Sequence, residues 1–398
     1  MSFSRLSLGA LLGVCALLAG LLVLPVSASA NVTGEQWHME ALEMDEVHEI
    51  STGEGITVGI IDTGIDMSHP DLEGANIRGA GFGGAQEDGL RDDHGHGTNV
   101  ASMVVGQGVG TDSEDGVLGI APDVELLTAS LRSPDDIGRL EDWHAWMDEG
   151  LRWMVDEGAD VISISVGRLP SEAHRYARDN DVPVIFAAGN VDEDEWGNEL
   201  DPHAQGYFAS ISINAGDRNG EPSEYAVRFH ADQFGFTAPG VDIPVATPGG
   251  GYEMAEGASL AAPITAGMWA LVMSAYPDLT EEELYHRMIW DKFPDAVPGE
   301  LPEGRGGFGP IDPLRALTME IPGQEMTGPP DDSDTSDEDE SNSGDGDSAT
   351  DEPGNLTASG EETSNVPFYL GLAVLVSAVT VGVIFWLVKR QRAKSPLP

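Results

Sequence analysis

The chain holds almost no cysteine. Its one thiol, Cys15, lies inside an apolar N-terminal run and reads as filler in a secretory leader. Leu12-Gly13-Val14-Cys15 makes a poor lipidation site, because Val14 is large where a small residue is expected. Once that leader is removed no thiol remains, so disulfides are excluded and stability outside the cell rests on the core and on any bound ions. Positive charge is the second scarcity. Lysine and arginine total 19 against 69 aspartates and glutamates, only three of the 19 are lysines, and the formal net charge is -50. That balance excludes nucleic acid, and anionic lipid, as partners recognised through a basic patch. It suits a protein kept soluble by charge, as in high salt, where repulsion is screened within a few ångströms; a compositional habit of the lineage would give the same balance. Internal repeats are also missing, which sets aside repeat architectures.

Apolar content is ordinary, so 398 residues can bury one large core or two smaller ones. Residues 1–30 read as a signal peptide, with Arg5 in the n-region, Leu8 to Leu24 as the apolar h-region and Ala28-Ser29-Ala30 as the cleavage site. A second apolar run, residues 366–388, is long enough to cross a bilayer, which needs ~20 residues. Lys389-Arg390-Gln391-Arg392-Ala393-Lys394 follows at once, and the positive-inside rule keeps this basic tail, 389–398, in the cytoplasm. The expectation is a single-pass type I protein of the cell membrane with its body outside. Residues 323–365 form an acidic linker; from Asp331 to Thr363 it has no Lys or Arg and too little apolar surface to offset its ordering entropy.

The body, 55–322, follows an N-terminal arm, 31–54, and alternates strand and helix signals. Thr57-Val58-Gly59-Ile60-Ile61, Val124 to Ala129, Asp160 to Ser165 and Val182 to Ala187 read as buried strands. Leu140 to Glu157 carries apolar residues near helical period and stops at Gly158, and Leu260 to Tyr276 is an apolar helix stopped by Pro277. Strands alternating with helices predict an α/β fold with a mostly parallel central sheet between helical layers.

Three segments of this body carry chemistry. Asp62 closes an apolar strand just before Gly64, which puts a carboxylate where open α/β sheets build their sites. His96 begins His96-Gly97-Thr98-Asn99-Val100-Ala101, a helix start with small residues behind it; His94, two residues earlier, is expected to line the cleft or face solvent. Ser259 sits in the small-residue turn Gly257-Ala258-Ser259 at a helix N-terminus, where N–H groups and the helix dipole favour an oxyanion. Asn190, at the end of Phe186-Ala187-Ala188-Gly189-Asn190, offers an amide to the same oxyanion, and one such donor is worth roughly 10²–10³ in turnover. Taken singly, Asp62 and Asn190 are more simply turn residues and Ser259 a helix cap. Together, in the order Asp, His, Ser, they form a nucleophile, base and orienter set.

With Ser68-His69-Pro70-Asp71-Leu72, Gly116-Val117-Leu118-Gly119-Ile120-Ala121-Pro122 and Ser163-Ile164-Ser165-Val166-Gly167, the body resembles the subtilisin-like serine peptidases. The resemblance implies their three-layer fold and a serine endopeptidase acting on proteins or peptides through Asp62, His96, Ser259 and Asn190. It implies that Ser165, Val166 and Gly167 pair with extended substrate, and that Ala188 and Gly189 help wall the specificity pocket. No cofactor is required and no metal is assigned. A structural calcium is the one ion relatives suggest, held by the aspartate matching Asp71 and by the loop matching 111–115, here Thr-Asp-Ser-Glu-Asp. Ala258 stands where Thr is usual, Asn99 and Ser102 replace commoner residues, and Glu256 is unusual at the mouth of the cleft. The arm Gln36-Trp37-His38 and the C-terminal helix with its short basic tail resemble the mycosins, membrane-anchored proteases of actinobacterial type VII secretion. That likeness implies a processing role within a secretion membrane complex. A tethered degradative protease and a mainly structural scaffold are the alternatives.

Overall fold

A computed structural model describes residues 36–110, 116–132, 140–166, 171–190, 210–229, 235–289 and 304–321, all of them within one compact unit, Met1–Thr335. The expected signal peptide, the 323–365 linker, the 366–388 span, the basic tail, the 111–115 loop and Gly167 lie outside the described residues. In chain order the elements are α1 (Trp37–Ala41), α2 (Met44–His48), β1 (Thr57–Asp62), β2 (Ile77–Phe82), α3 (His96–Val105), β3 (Glu125–Leu131), α4 (Leu140–Asp156), β4 (Val161–Ile164), α5 (Ser171–Arg178), β5 (Val184–Ala187), β6 (Ser210–Gly216), β7 (Gly235–Pro239), β8 (Ile243–Thr247), β9 (Gly251–Ala255), α6 (Ala258–Ala275), α7 (Glu281–Ile289) and α8 (Pro313–Thr318).

Seven strands make one parallel sheet in the order β2-β3-β1-β4-β5-β6-β7, while β8 and β9 form a separate antiparallel hairpin. β1 is central, pairing with β3 on one edge and β4 on the other. Helices cover both faces, so β1, β3, β4 and β5 are buried on both sides and read as near-continuous runs of Val, Ile and Leu. The chain moves outward from β1 to β2 and β3, then crosses back to begin β4. That reversal opens a crevice at the carboxyl end of β1, the position at which such sheets bind ligands.

One face is packed by α3 and α6, the other by α4 and α5. α6 is the one described helix long and apolar enough to cross a membrane, yet 89% of it is buried inside the fold. It is apolar all round because it is the core helix, set against β4, β5, β6 and α3. α4 is amphipathic by contrast and buries Trp143, Met147, Leu151 and Met154. The N-terminal arm lies along the body. Gln36 accepts from Leu118 N and donates to Leu118 O, the Trp37 indole donates to the carbonyls of Val241 and Asp242 at 3.0 Å, and the His48 ring meets Ile120 O at 2.9 Å. None of these partners is a predicted site residue.

Candidate active site

Asp62 ends β1 and is fully buried. His96 begins α3, and the helix approaches β1 closely because two glycines meet there. A Cβ on Gly97 would stand 2.0 Å from the Gly64 carbonyl oxygen, and Gly64 itself has φ +107. The approach brings His96 Nδ1 to 2.8 and 2.9 Å from the two oxygens of Asp62. Asp62 also accepts a 2.8 Å bond from Thr63 N. With Nδ1–H donating to the carboxylate, Nε2 is left as the acceptor, the tautomer a general base needs. The charge of Asp62 holds the imidazole pKa above its ordinary value; the hydrogen bond and the more distant Asp92 add to this, and burial opposes it.

Asp92 is a member of the site that the motif reading missed. It is buried, and its carboxylate collects Thr63 Oγ1, His94 N, Gly95 N, Thr98 N and Thr98 Oγ1 at 2.7–3.0 Å. Thr63 Oγ1 in turn accepts from Gly97 N. These bonds satisfy the orphan donors at the start of α3 and so hold His96 in place. The available signal was an aspartate four residues before the histidine, in a turn entering a helix. His94 is exposed, its ring edge-on to that of His96 at 6.4 Å, and it lines an open cleft with Thr63 and Ser130, as expected.

Ser259 is the second residue of α6. Asn190 Oδ1 accepts from Ala258 N at 3.0 Å, which fixes the amide with Nδ2 free to donate. A Cβ on Gly257 would fall 3.2 Å from Asn190 Nδ2 and 3.3 Å from Ser259 Oγ; the two groups face one small space that glycine keeps open. Pro263 has no N–H to return to the carbonyl of Ser259 four residues back. Ser165 Oγ takes that role, donating to Ser259 O at 2.8 Å and tying the end of β4 to the start of α6. Val166 is half-buried beside it, and Gly167 is outside the described residues. Ala188, buried, donates from its N–H to Ile213 O, and Gly189 makes the turn at φ +107 that delivers Asn190. Among the described residues no hydrogen bond joins Ser259 Oγ to His96; such contacts are commonly loose before substrate arrives.

The departures from the family pattern have structural partners. Asn99 Nδ2 donates to Ala246 O, and Ser102 Oγ donates to Asn99 O and accepts from Ala246 N, so both residues bind α3 to β8. Glu256 accepts from Ser223 Oγ at 2.7 Å. Asp71 is buried, and its carboxylate accepts from Gly110 N and Val117 N at 2.7 Å and from the Tyr252 hydroxyl at 2.8 Å. Three protons aim at this carboxylate; the 111–115 loop that would complete a calcium site with it lies outside the described residues. No cluster of His, Cys, Asp and Glu suited to a metal occurs among the described residues.

A buried aspartate paired with a half-buried histidine at the carboxyl end of a central parallel strand, with a serine and an aimed amide at the N-terminus of a helix packed against the histidine's own, is the equipment of acyl transfer by a serine endopeptidase. Residues 53–309 match the subtilase family of S8 peptidases, and the chain belongs to that family. An intracellular serine protease of Paenibacillus polymyxa is 32% identical over 265 residues, 63% of this chain and 78% of the relative. Among solved structures, MycP1 from the ESX-1 type VII secretion system aligns with a TM-score of 0.58 at 26% identity, over 74% of this chain and 88% of its own. A chain in the periplasmic assembly from the ESX-5 inner membrane complex aligns with a TM-score of 0.57 at 26% identity, over 74% and 86%.

Proposed function

We propose that this subtilisin-like enzyme is a membrane-anchored, extracellular processing protease of the mycosin type, acting beside a type VII secretion complex. In this reading His96 Nε2 takes the proton of Ser259 Oγ as the oxygen attacks the scissile carbonyl. The oxyanion is held by Asn190 Nδ2 and the Ser259 backbone N–H, and the acyl-enzyme forms as the imidazolium returns the proton to the leaving amine. Asp62 keeps the imidazole in the tautomer that can do this and balances its transient charge. Water then repeats the sequence from the other side. Ser165 and Val166, with Gly167, pair with the acyl half of the substrate, and Ala188 and Gly189 wall its first side chain. The short contact from His96 to Asp62 carries the catalytic part of the reading. The likeness to MycP1, together with the 366–388 run and its basic tail, supports the anchoring and the secretion link.

The test uses the full chain in native membranes. Fluorophosphonate labelling that is lost in Ser259→Ala, in a protein that resists carbonate extraction and is digested by protease added outside the cell, is the expected result. Absent labelling of folded protein would sink the catalytic assignment, and release by carbonate would sink the anchor. A few discrete cuts in co-secreted proteins favour processing; broad digestion favours the degradative alternative.

A further inference from the structure

We infer that Glu256 is a specificity residue of this cleft, selecting substrates with lysine or arginine at one of the first two positions beyond the scissile bond. The inference rests on the proteolytic reading above and adds the substrate class. Glu256 is exposed and directly precedes Gly257, the residue that borders both Ser259 Oγ and Asn190 Nδ2. Its carboxylate is not free to swing. Ser223 Oγ donates to one oxygen at 2.7 Å. Ser223 is itself anchored, buried and donating its N–H to Ala215 O at the end of β6. Among the described residues Glu256 has no cationic partner, so a fixed negative charge stands at the rim with its other oxygen open.

Sheet order decides which half of the substrate meets this charge. The carboxyl ends of β4, β5 and β6 stand side by side. They carry in turn Ser165 and Val166, then Asn190, then the 217–223 turn that holds Glu256. A peptide lying across them with its acyl half on the β4 end and its scissile carbonyl at Asn190 continues past the β6 end with its leaving half. The first residues of the leaving half therefore pass the carboxylate. Asn190 bridges to Ala226, whose N–H donates to Ser223 O, so the amide is linked through one turn to the residue that holds Glu256. A cationic side chain there gains an ion pair in a partly desolvated cleft, whereas an acidic one meets a like charge.

Full-length protein in detergent, assayed on internally quenched peptides of one sequence, tests this. Lysine replaces glutamine singly at each of the three positions on either side of the cut. The expected gain in kcat/KM is roughly fivefold, confined to the first or second position of the leaving half, and it fades in molar salt. Glu256→Gln removes the gain, Glu256→Lys reverses it in favour of glutamate, and Ser223→Ala, which keeps the charge but frees it, reduces it. An equal gain at every position would trace to the net charge of -50 and overturn the assignment, as would no gain in the wild type or a gain that survives Glu256→Gln. The wild-type scan decides the matter even if a variant does not fold. Failure of the proteolytic reading looks different: no peptide is cut and no Ser259-dependent probe labelling appears, and both readings then fall together.

Discussion

Two carboxylates nine residues apart are both wholly buried, and they do opposite things. Asp62 faces an imidazole, with both oxygens within 2.9 Å of His96 Nδ1. Asp71 faces two backbone N–H groups and a phenol, those of Gly110, Val117 and Tyr252. The three donors to the Asp71 carboxylate are not bases, although the Asp71 N–H is itself given to the buried His69 ring at 3.1 Å. Burial foremost, then the bond to Asp71 and its charge, push the Tyr252 hydroxyl up beyond its ordinary range. Desolvation alone therefore does not mark a reactive group. What separates the two is the partner's ability to exchange a proton. In the proposed mechanism Asp62 is coupled to a base whose charge changes in the reaction, while Asp71 is a clasp that joins Gly110 and Val117 to the hairpin leading to Ser259.

The strongest way to break the contrast is to neutralise each carboxylate in turn. Asp62→Asn keeps the shape but removes the charge and offers the imidazole the wrong tautomer. The expected loss is roughly 10⁴ in kcat, with a melting temperature much less affected. A loss of tenfold or less would mean that Asp62 is another structural clasp. Asp71→Ala is expected to act the other way. It leaves two amides and a hydroxyl without a partner in the interior, costing about 2–4 kcal/mol of stability in urea unfolding. Tyr252→Phe, which removes one of the three bonds, is expected to cost about 1 kcal/mol. For both, turnover per folded molecule should change far less than in Asp62→Asn; a large loss of kcat at unchanged stability would place Asp71 in the reaction.

The pairing of Asp62 with His96 was legible in the sequence and the clasp was not, for a physical reason. Asp62, His96 and Ser259 each sit in a short contiguous motif whose small residues are forced by close approach, as at Gly97 and Gly257. Their neighbours along the chain announce them. The donors to Asp71 come from residues 39, 46 and 181 positions away, and nothing local to Asp71 or Tyr252 records that they meet. Asp92 was missed for a related reason, since its five donors become one site only when the turn before α3 closes. The same logic holds for elements. α4 and α6 declare themselves by period and length, and the inner strands by apolar runs. β2, Ile77-Arg78-Gly79-Ala80-Gly81-Phe82, lies at the sheet edge, half-buried throughout and with two glycines, so it shows neither a run nor an alternation. Pro263 lies within the helix expected over Leu260 to Tyr276, and only the Ser165 contact shows how the site accommodates it.

The smallest effect gives the sharpest comparison, because it asks whether each carboxylate is linked to pH. The charge of Asp62 raises the His96 pKa above 6.5 in the folded state. The base must be neutral to accept a proton, so kcat/KM is expected to fall as pH drops through a value above the ordinary imidazole pKa. In Asp62→Asn the first cause of the shift is gone while burial remains, so the residual activity should lose its acid limb only at lower pH. Stability follows the same proton with its own sign. A pKa raised on folding contributes stability that is fully present below the unfolded value near 6.5 and is lost as pH rises through the folded value. Asp62→Asn should therefore cost more stability at about pH 6 than at about pH 9. The cost of Asp71→Ala is expected to change less over that window, because the donors it strands are two amides and a phenol. Urea melts of both variants at the two pH values measure this directly. A pH-independent cost for Asp62→Asn would mean that the His96 pair holds no extra proton in the fold, and the distinction between the two carboxylates would then rest on geometry alone.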